Sequence, residues 1–293
     1  MEQTFNFEKS SYWYEPRETV SKLFEKSKYT FLAEMTYDET AILMGLIKEY
    51  NIKNIVEIGV AEGGTSCCIL QALTDMTGGG DNRNLYSVDK DINCYTNSKL
   101  KVGYLSEEYK KLTNSSVNHI TFYGKYLIDV INDIPNNIDL VVIDAWHLLP
   151  GDLFNTLIML NKLHIGSFLY YHDTIEYARI RFKWDNLPSA SMISILGING
   201  EKHIPTDPFL SCGIVRCTQN TFTDVDNLFY ALLLQFQTDD TTWEKTKEYL
   251  IKTYPKYKEF LIYVFHKQKE YINYRYAHLK SKDATCLHSR LQI

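Results

Sequence analysis

From residue 52 onward, short apolar runs alternate with longer stretches whose apolar residues recur every three or four positions. A short apolar run is typical of a buried strand, and the longer period is typical of an amphipathic helix. The runs that predict parallel strands are 54–58, 85–89, 119–123, 139–144 and 167–172. The stretches that predict helices between them are 65–75, 92–112, 126–132 and 150–163. This alternation predicts a doubly wound α/β fold with helices on both faces of a mostly parallel sheet.

Two later runs, 192–198 and 213–217, predict further strands at the edge of that sheet, which gives seven strands. The segments before and after the alternation read as helices. We therefore predict a helical N-terminal extension (1–50), a central domain (51–219) and a helical, Tyr-rich C-terminal extension (220–293). Such a tail must bury its aromatic rings, so we expect it to pack on the N-terminal helices as a lid over the site, with a homodimer interface as the alternative.

Charge and composition exclude several classes of protein. The 293 residues carry a net charge of −5 without a dense basic block, which argues against a nucleic-acid partner. No apolar run is long enough to cross a bilayer, and the first residues lack the layout of a signal peptide. The six cysteines show no metal-site or disulfide spacing. A cytoplasmic location without a membrane partner is the expectation.

The turn after the first strand carries the strongest indication of function. Glu57 and Gly59 end the strand, and Gly63 and Gly64 open a helix. Glycines let the backbone approach a ligand, and free N–H groups at a helix start point at it, as in nucleotide sites. The spacing lacks the middle glycine of the dinucleotide pattern Gly-x-Gly-x-x-Gly. Glu57 suits a cationic or hydroxyl-bearing ligand better than a pyrophosphate, which favours S-adenosylmethionine over a nicotinamide cofactor.

Acidic side chains follow the later strands. Asp89 ends the second strand, where a carboxylate can accept hydrogen bonds from ribose hydroxyls; alternatively it is a solvated turn residue. Asp144, His172 and Asp173 follow two adjacent strands and could together hold a divalent cation, with two carboxylates favouring Mg²⁺ and a histidine favouring Mn²⁺ or another transition metal. The alternative is that His172 donates to a backbone carbonyl and Asp173 caps a helix.

His147 lies three residues beyond Asp144, on the loop expected to cover the site. An imidazole with an ordinary pKa accepts a proton at neutral pH, so His147 is a candidate general base. A structural histidine bonded to Asp144 or to backbone explains the position equally well.

The ordered set of motifs resembles the class I S-adenosylmethionine-dependent methyltransferases, closest to the macrolide-sugar and catechol O-methyltransferase-like branch. The resemblance covers about residues 36–218 and rests on 56–66 (VEIGVAEGGTS), 85–89 (LYSVD), 141–147 (VVIDAWH) and 166–173 (GSFLYYHD). It implies a Rossmann-like methyltransferase fold.

Site roles also follow from the resemblance. It implies that Glu57, Gly59 and Gly63 frame the methionine end of the cofactor, that Asp89 holds the ribose, and that Gly124, Lys125 and Tyr126 flank the adenine. Asp144, His172 and Asp173 fall where metal-dependent members keep acidic or amide ligands, and His147 where catechol-type enzymes keep a lysine base. The family usually has a carboxylate at the position of His172, which is the main departure.

The expected function is methyl transfer from S-adenosylmethionine to a hydroxyl of a small molecule, with a sugar or glycan precursor as one acceptor class. Asp144 and His147 are the candidate catalytic residues, and Mg²⁺ or Mn²⁺ is a candidate second cofactor. Two alternatives stay open: a non-catalytic S-adenosylmethionine-binding or scaffold protein, and a nicotinamide-dependent oxidoreductase.

Overall fold

The computed structural model describes residues 14–24, 35–76, 82–145, 149–174, 189–205, 207, 210–234, 236 and 240–281. A seven-stranded sheet forms the centre of the molecule, in the order β3-β2-β1-β4-β5-β7-β6. Its strands are β1 (Asn54–Ile58), β2 (Asn84–Asp89), β3 (Asn118–Tyr123), β4 (Ile138–Ile143), β5 (Leu163–His172), β6 (Glu201–His203) and β7 (Cys212–Arg216). The first five are parallel, and β7 runs antiparallel to both β5 and β6. The predicted doubly wound, seven-stranded fold is confirmed.

Helices cover both faces of the sheet. In chain order they are α1 (Glu18–Phe24), α2 (Tyr37–Glu49), α3 (Gly64–Met76), α4 (Tyr104–Thr113), α5 (Leu127–Val130), α6 (Gly151–Met159), α7 (Ala190–Gly197), α8 (Gln219–Thr223), α9 (Asp226–Ala231), α10 (Asp240–Thr253) and α11 (Lys258–Ser281). Residues of α2, α3 and α4 form one hydrophobic core against the sheet, and residues of α5, α6 and α7 form a second core on the opposite face.

The central strand explains why the sheet needs cover on both sides. Ile55 of β1 belongs to the core beneath α2 and α3, whereas Val56 and Ile58 belong to the core beneath α5 and α6. A strand that is apolar in both directions is stable only between two layers, because successive side chains point to opposite faces. Ligands of such folds bind at the carboxyl ends of the strands, where loops rather than helices cover the sheet.

The C-terminal helices extend the second core rather than the first. Leu228, Phe229, Trp243 and Phe265 are buried together with the α6 residues on that face. The expectation that the tail packs on the N-terminal helices is therefore wrong for the described residues, since those helices lie across the sheet. In the part of the chain that the structure describes, no helix has the length and apolarity that a membrane span requires.

Three local predictions also need correction. The run 192–198, predicted as a strand, lies in α7, which begins after Ser189 accepts a hydrogen bond from the Met192 backbone N–H at 3.3 Å. The polar edge strand β6 was not predicted, because Glu201, Lys202 and His203 show no apolar alternation. The helix predicted over 92–112 begins only at Tyr104, after Gly103 adopts a left-handed φ of 71°.

Candidate active site

A cavity of about 300 Å³ lies at the carboxyl ends of the parallel strands. This volume is at the lower end of the range for small-molecule sites. Its wall includes segments that are distant in sequence, among them the turn after β1, the end of β2, the start of α5 and the end of β4. Of the predicted site residues, the wall includes Gly59, Gly64, Asp89, Lys125, Tyr126 and Asp144. The topology therefore brings half of the predicted site residues to one cavity.

The turn after β1 requires glycine. Gly59 has a φ of 87°, and a Cβ atom added there would lie 1.9 Å from the carbonyl oxygen of Asp144. Gly63 has a φ of 90°, and its Cβ would lie 2.9 Å from Cα of Gly103. Side chains are rarely tolerated in this region of φ, so the turn depends on both glycines. Gly63 shapes the backbone without lining the cavity, whereas Gly64 and Thr65, at the start of α3, are on the wall.

Asp89 ties the turn to β2. One carboxylate oxygen accepts from the backbone N–H groups of Val60 at 2.8 Å and Ala61 at 3.1 Å, and the other accepts from Asp91 N–H at 2.8 Å. A carboxylate offers about four acceptor positions, so these three bonds leave capacity for a ligand hydroxyl. Asp89 also lines the cavity, as its predicted ribose-binding role requires.

Glu57 occupies a different place from the one predicted. Its side chain is fully buried and is not on the cavity wall. One carboxyl oxygen accepts from the hydroxyls of Ser66 at 2.6 Å and Ser87 at 2.8 Å, and the other finds no partner among the described residues. Burial raises the pKa of Glu57 to about 8, against the lowering effect of the two serine hydroxyls. The geometry makes Glu57 a support beneath the turn, joining β1 to α3 and β2.

The loop after β3 contributes Lys125 and Tyr126 to the wall, next to Leu127 and Ile128 of α5. Gly124 itself does not line the cavity, but its φ of 74° turns the chain, and a Cβ there would lie 2.7 Å from the side chain of Ile92. This loop is held against β2 by the hydrogen bond from Lys125 N–H to the Asp89 carbonyl at 3.0 Å. The predicted segment thus lies beside Asp89.

Asp144 and His172 form a buried ion pair at the ends of β4 and β5. His172 Nδ1 lies 2.8 Å from Asp144 Oδ1, and Nε2 lies 3.4 Å from a carboxylate oxygen of Glu39 in α2. Burial alone would lower the pKa of His172, but the charges of Asp144 and Asp173 and the bonds to Asp144 and Glu39 outweigh it and raise the pKa well above its ordinary value. His172 is therefore expected as an imidazolium that donates from both nitrogens. Asp144, its partner, lines the cavity.

Both ring nitrogens of His172 are engaged by carboxylates, Nδ1 by Asp144 and Nε2 by Glu39. Asp173 lies beside the pair, with a carboxylate oxygen 3.7 Å from His172 Nδ1. Among the described residues, no three His, Cys, Asp or Glu side chains are arranged to hold a metal ion. The predicted set of Asp144, His172 and Asp173 is better described as an ion-paired cluster. His147, the predicted base, lies outside the described residues and stays a prediction.

One wall of the cavity was missed by the sequence reading. Thr242 and Thr246 of α10 line it together with Asn155 and Ile158 of α6. No local signal marks these threonines as site residues, since they follow β4 by about a hundred positions and lie in a polar helix. Only the packing of α10 on α5 and α6 brings them to the site.

Comparison with known proteins finds a matching domain family and similar folds. Residues 56–174 match the family model described as a methyltransferase domain. No curated protein sequence matches the chain. Among solved structures, the SAH-bound methyltransferase PaMTH1 from Podospora anserina is similar, with 10% identity, a TM-score of 0.50, and coverage of 71% of this chain and 91% of that one.

Two further solved structures are similar at lower scores. The O-methyltransferase TomG from Streptomyces achromogenes, in complex with SAM, has 14% identity, a TM-score of 0.49, and coverage of 69% of this chain and 91% of its own. The O-methyltransferase from Bacillus cereus, in complex with SAH, has 12% identity, a TM-score of 0.45, and coverage of 69% and 92%. At these identities the likeness concerns the fold alone. The match over residues 56–174, the strand order and the glycine turn show that this chain contains a Rossmann-like methyltransferase fold.

Proposed function

We propose that the protein transfers a methyl group from S-adenosylmethionine to a hydroxyl of a small molecule, with a sugar or glycan precursor as the candidate acceptor. One observation carries the proposal: the glycine turn, Asp89 and the ion-paired Asp144 line the same cavity. A cofactor site and a carboxylate that can receive a proton are thus adjacent.

The residues of the turn fit the cofactor. Gly59 keeps the cavity open where any side chain would collide with the Asp144 backbone, and Asp89 has acceptor capacity left for a ribose hydroxyl. The first residues of α3 offer backbone N–H groups, which suits the carboxylate of the methionine end. Lys125 and Tyr126, beside Asp89, would flank the base. When bound, S-adenosylmethionine supplies an electrophilic methyl group.

The acceptor side depends on Asp144. Its carboxylate can accept the proton of an acceptor hydroxyl, and the imidazolium of His172 fixes its orientation through the 2.8 Å bond. Methyl transfer is an in-line displacement in which holding the two reacting atoms close and aligned supplies most of the acceleration. A rigid Asp144 serves that alignment. His147 remains a second candidate base.

Calorimetry tests cofactor choice. The protein should bind S-adenosylhomocysteine, and Asp89→Ala should weaken binding by about 1.5–3 kcal/mol, because it removes a charged acceptor from buried hydroxyls. Asp224→Asn, on the surface after α8, is the control and should bind like the parent. Binding of NADH in place of S-adenosylhomocysteine would overturn the proposal in favour of an oxidoreductase.

A transfer assay tests the chemistry. Radiolabelled S-adenosylmethionine should methylate at least one member of a panel of hydroxylated sugars and phenols, and Asp144→Asn should abolish this transfer while changing the affinity for S-adenosylhomocysteine little. Tight cofactor binding without transfer to any hydroxylated acceptor would instead support a non-catalytic binding or scaffold protein.

A further inference from the structure

Part of the cavity wall belongs to the C-terminal helix α10 and lies outside the segment 56–174 that matches the family model. Thr242 and Thr246 of α10 are four residues apart, so their side chains lie on one face of the helix, one above the other. Both line the cavity. The C-terminal extension therefore completes the site rather than only covering apolar surface.

Contacts with α5, α6 and the second core hold α10 in place. Lys245 Nζ lies 2.5 Å from the Asp129 carboxylate of α5, and the Tyr254 hydroxyl donates to the Leu157 carbonyl of α6 at 2.8 Å. The buried Trp243 ring of α10 also packs against Phe236 and Phe265, with ring centroids 4.9 and 5.4 Å apart. Because the helix is anchored on both sides, the two threonines are held at fixed positions on the wall.

The neighbours of the threonines show which end of the cavity they form. The adjacent wall residues are Leu127 and Ile128 of α5 and Phe154 and Ile158 of α6. Leu127 and Ile128 directly follow the loop after β3 that is bonded to Asp89, and α10 packs on both α5 and α6, so this is the end where a nucleoside base would lie. Apolar side chains there suit the faces of a flat ring. The hydroxyls of Thr242 and Thr246 and the amide of Asn155 are the neutral polar groups beside them.

We propose that Thr242, Thr246 and Asn155 recognise the hydrogen-bonding edge of the 6-aminopurine base, so that the C-terminal extension sets the nucleoside specificity of the cavity. This inference rests on the proposed cofactor site. An amide and two hydroxyls offer both donors and acceptors, which matches the amino group and ring nitrogens of adenine. A 6-oxopurine reverses the donor and acceptor at that edge and should bind less well, since it leaves buried polar groups unpaired.

The test compares two ligands on the full-length protein by calorimetry: S-adenosylhomocysteine and S-inosylhomocysteine, its 6-oxo counterpart. The parent should prefer the first. The double variant Thr242→Val with Thr246→Val keeps the branched shape and removes both hydroxyls, and should lose about tenfold in affinity for S-adenosylhomocysteine with a much smaller loss for the 6-oxo ligand. Glu248→Gln, exposed on the same helix, is the matched control and should keep the parental ratio.

The outcomes separate this inference from the proposed function. If the parent binds S-adenosylhomocysteine but the double variant keeps the parental ratio of the two affinities, the threonines do not read the base and the inference is overturned while the cofactor site stands. Equal losses for both ligands have the same meaning, because they report altered packing only. If the parent binds neither ligand, the cofactor site itself fails. The single variant Asn155→Leu repeats the test should the double variant not fold, and circular dichroism monitors folding throughout.

Discussion

Two buried glutamates near the site differ in charge although they are buried equally. Glu57 of β1 is 0% exposed and Glu39 of α2 is 1% exposed. Burial raises the pKa of Glu57 to about 8. For Glu39, burial acts in the same direction, but the hydrogen bond to His172 and its positive charge outweigh it, and the pKa of Glu39 is lowered.

The difference comes from the partners. Glu57 is bonded to the hydroxyls of Ser66 and Ser87, which carry no charge, whereas Glu39 faces the imidazolium of His172. A buried carboxylate stays ionised only when a cation compensates the lost hydration. The glycine turn therefore packs on a largely neutral Glu57 at neutral pH, whereas the wall residue Asp144 belongs to an ionic cluster in which His172 is shared by Glu39 and Asp144.

Removing His172 should produce the largest effect. His172→Leu leaves the Asp144 and Glu39 carboxylates without their cation, and we expect the free energy of unfolding to fall by about 3–5 kcal/mol. The matched control is His164→Leu, because His164 also lies 3.1 Å from an aspartate, Asp139, but its side chain is 41% exposed. An exposed pair contributes about 0–1 kcal/mol. Chemical denaturation measures both variants, and equal losses would show that the buried cluster has no special weight.

The pH dependence of stability should distinguish the two glutamates next. The folded pKa of Glu57 lies above its unfolded value, so its contribution is complete below about pH 4.5 and is lost as the pH rises through about 8. Glu57→Gln should remove this loss, so the stability of the variant relative to the parent should rise between these limits by at most about 1.4 kcal/mol per pH unit. Denaturation curves between pH 5 and 9 measure it.

Glu39 provides the opposite sign in the same experiment. Its folded pKa is lowered, so its contribution is present above the unfolded pKa and is lost as the pH falls through the folded value. Glu39→Gln should therefore remove this loss on the acidic side, and because Glu39 also raises the pKa of His172, the contribution of His172 should be lost at a lower pH than in the parent. Parallel profiles for the two variants would contradict the assignment of opposite charge states.

A smaller effect should follow from removing one hydroxyl beside Glu57. Ser87→Ala takes away a hydrogen bond to the carboxyl group and should cost about 1–2 kcal/mol. Because that bond lowers the pKa of Glu57, its loss should also move the midpoint of the pH profile upward. Ser194→Ala in α7 removes a buried hydroxyl bonded to the Ala190 carbonyl at 2.8 Å and is the control. It should destabilise the protein without moving the midpoint.

The sequence predicted the strands well and the contacts of the site only in part. β1 to β4 and β7 are apolar runs with clear ends, and parallel topology then brings Gly59, Asp89 and Asp144 to one edge without further information. The run 192–198 misled because a short apolar segment is compatible with either a buried strand or a buried helix, and only the cap at Ser189 decides.

Charge state and tertiary neighbours were beyond the sequence. Glu57 was predicted to face the ligand because it lies near the carboxyl end of the first strand. The structure instead directs its side chain to two serines that lie 9 and 30 residues away in the sequence. His172 was predicted as a metal ligand from its position beside Asp144 and Asp173. Its contact with Glu39 could not be predicted, because Glu39 lies on a helix more than a hundred residues earlier. The wall formed by Thr242 and Thr246 likewise depends on which face of the sheet the tail covers.

The smallest expected effect is that of a variant that tests which residue positions Glu39. Glu39 accepts from Thr36 N–H at 2.8 Å, while Thr36 accepts from Glu39 N–H at 3.3 Å, so the two residues form a capping box at the start of α2. Thr36→Ala removes only the threonine side chain and keeps the backbone donor to Glu39. We expect a loss of about 1 kcal/mol, typical of an N-cap, with unchanged affinity for S-adenosylhomocysteine. A loss as large as that of His172→Leu in denaturation would show that the cap, rather than the imidazolium, holds Glu39 at the site.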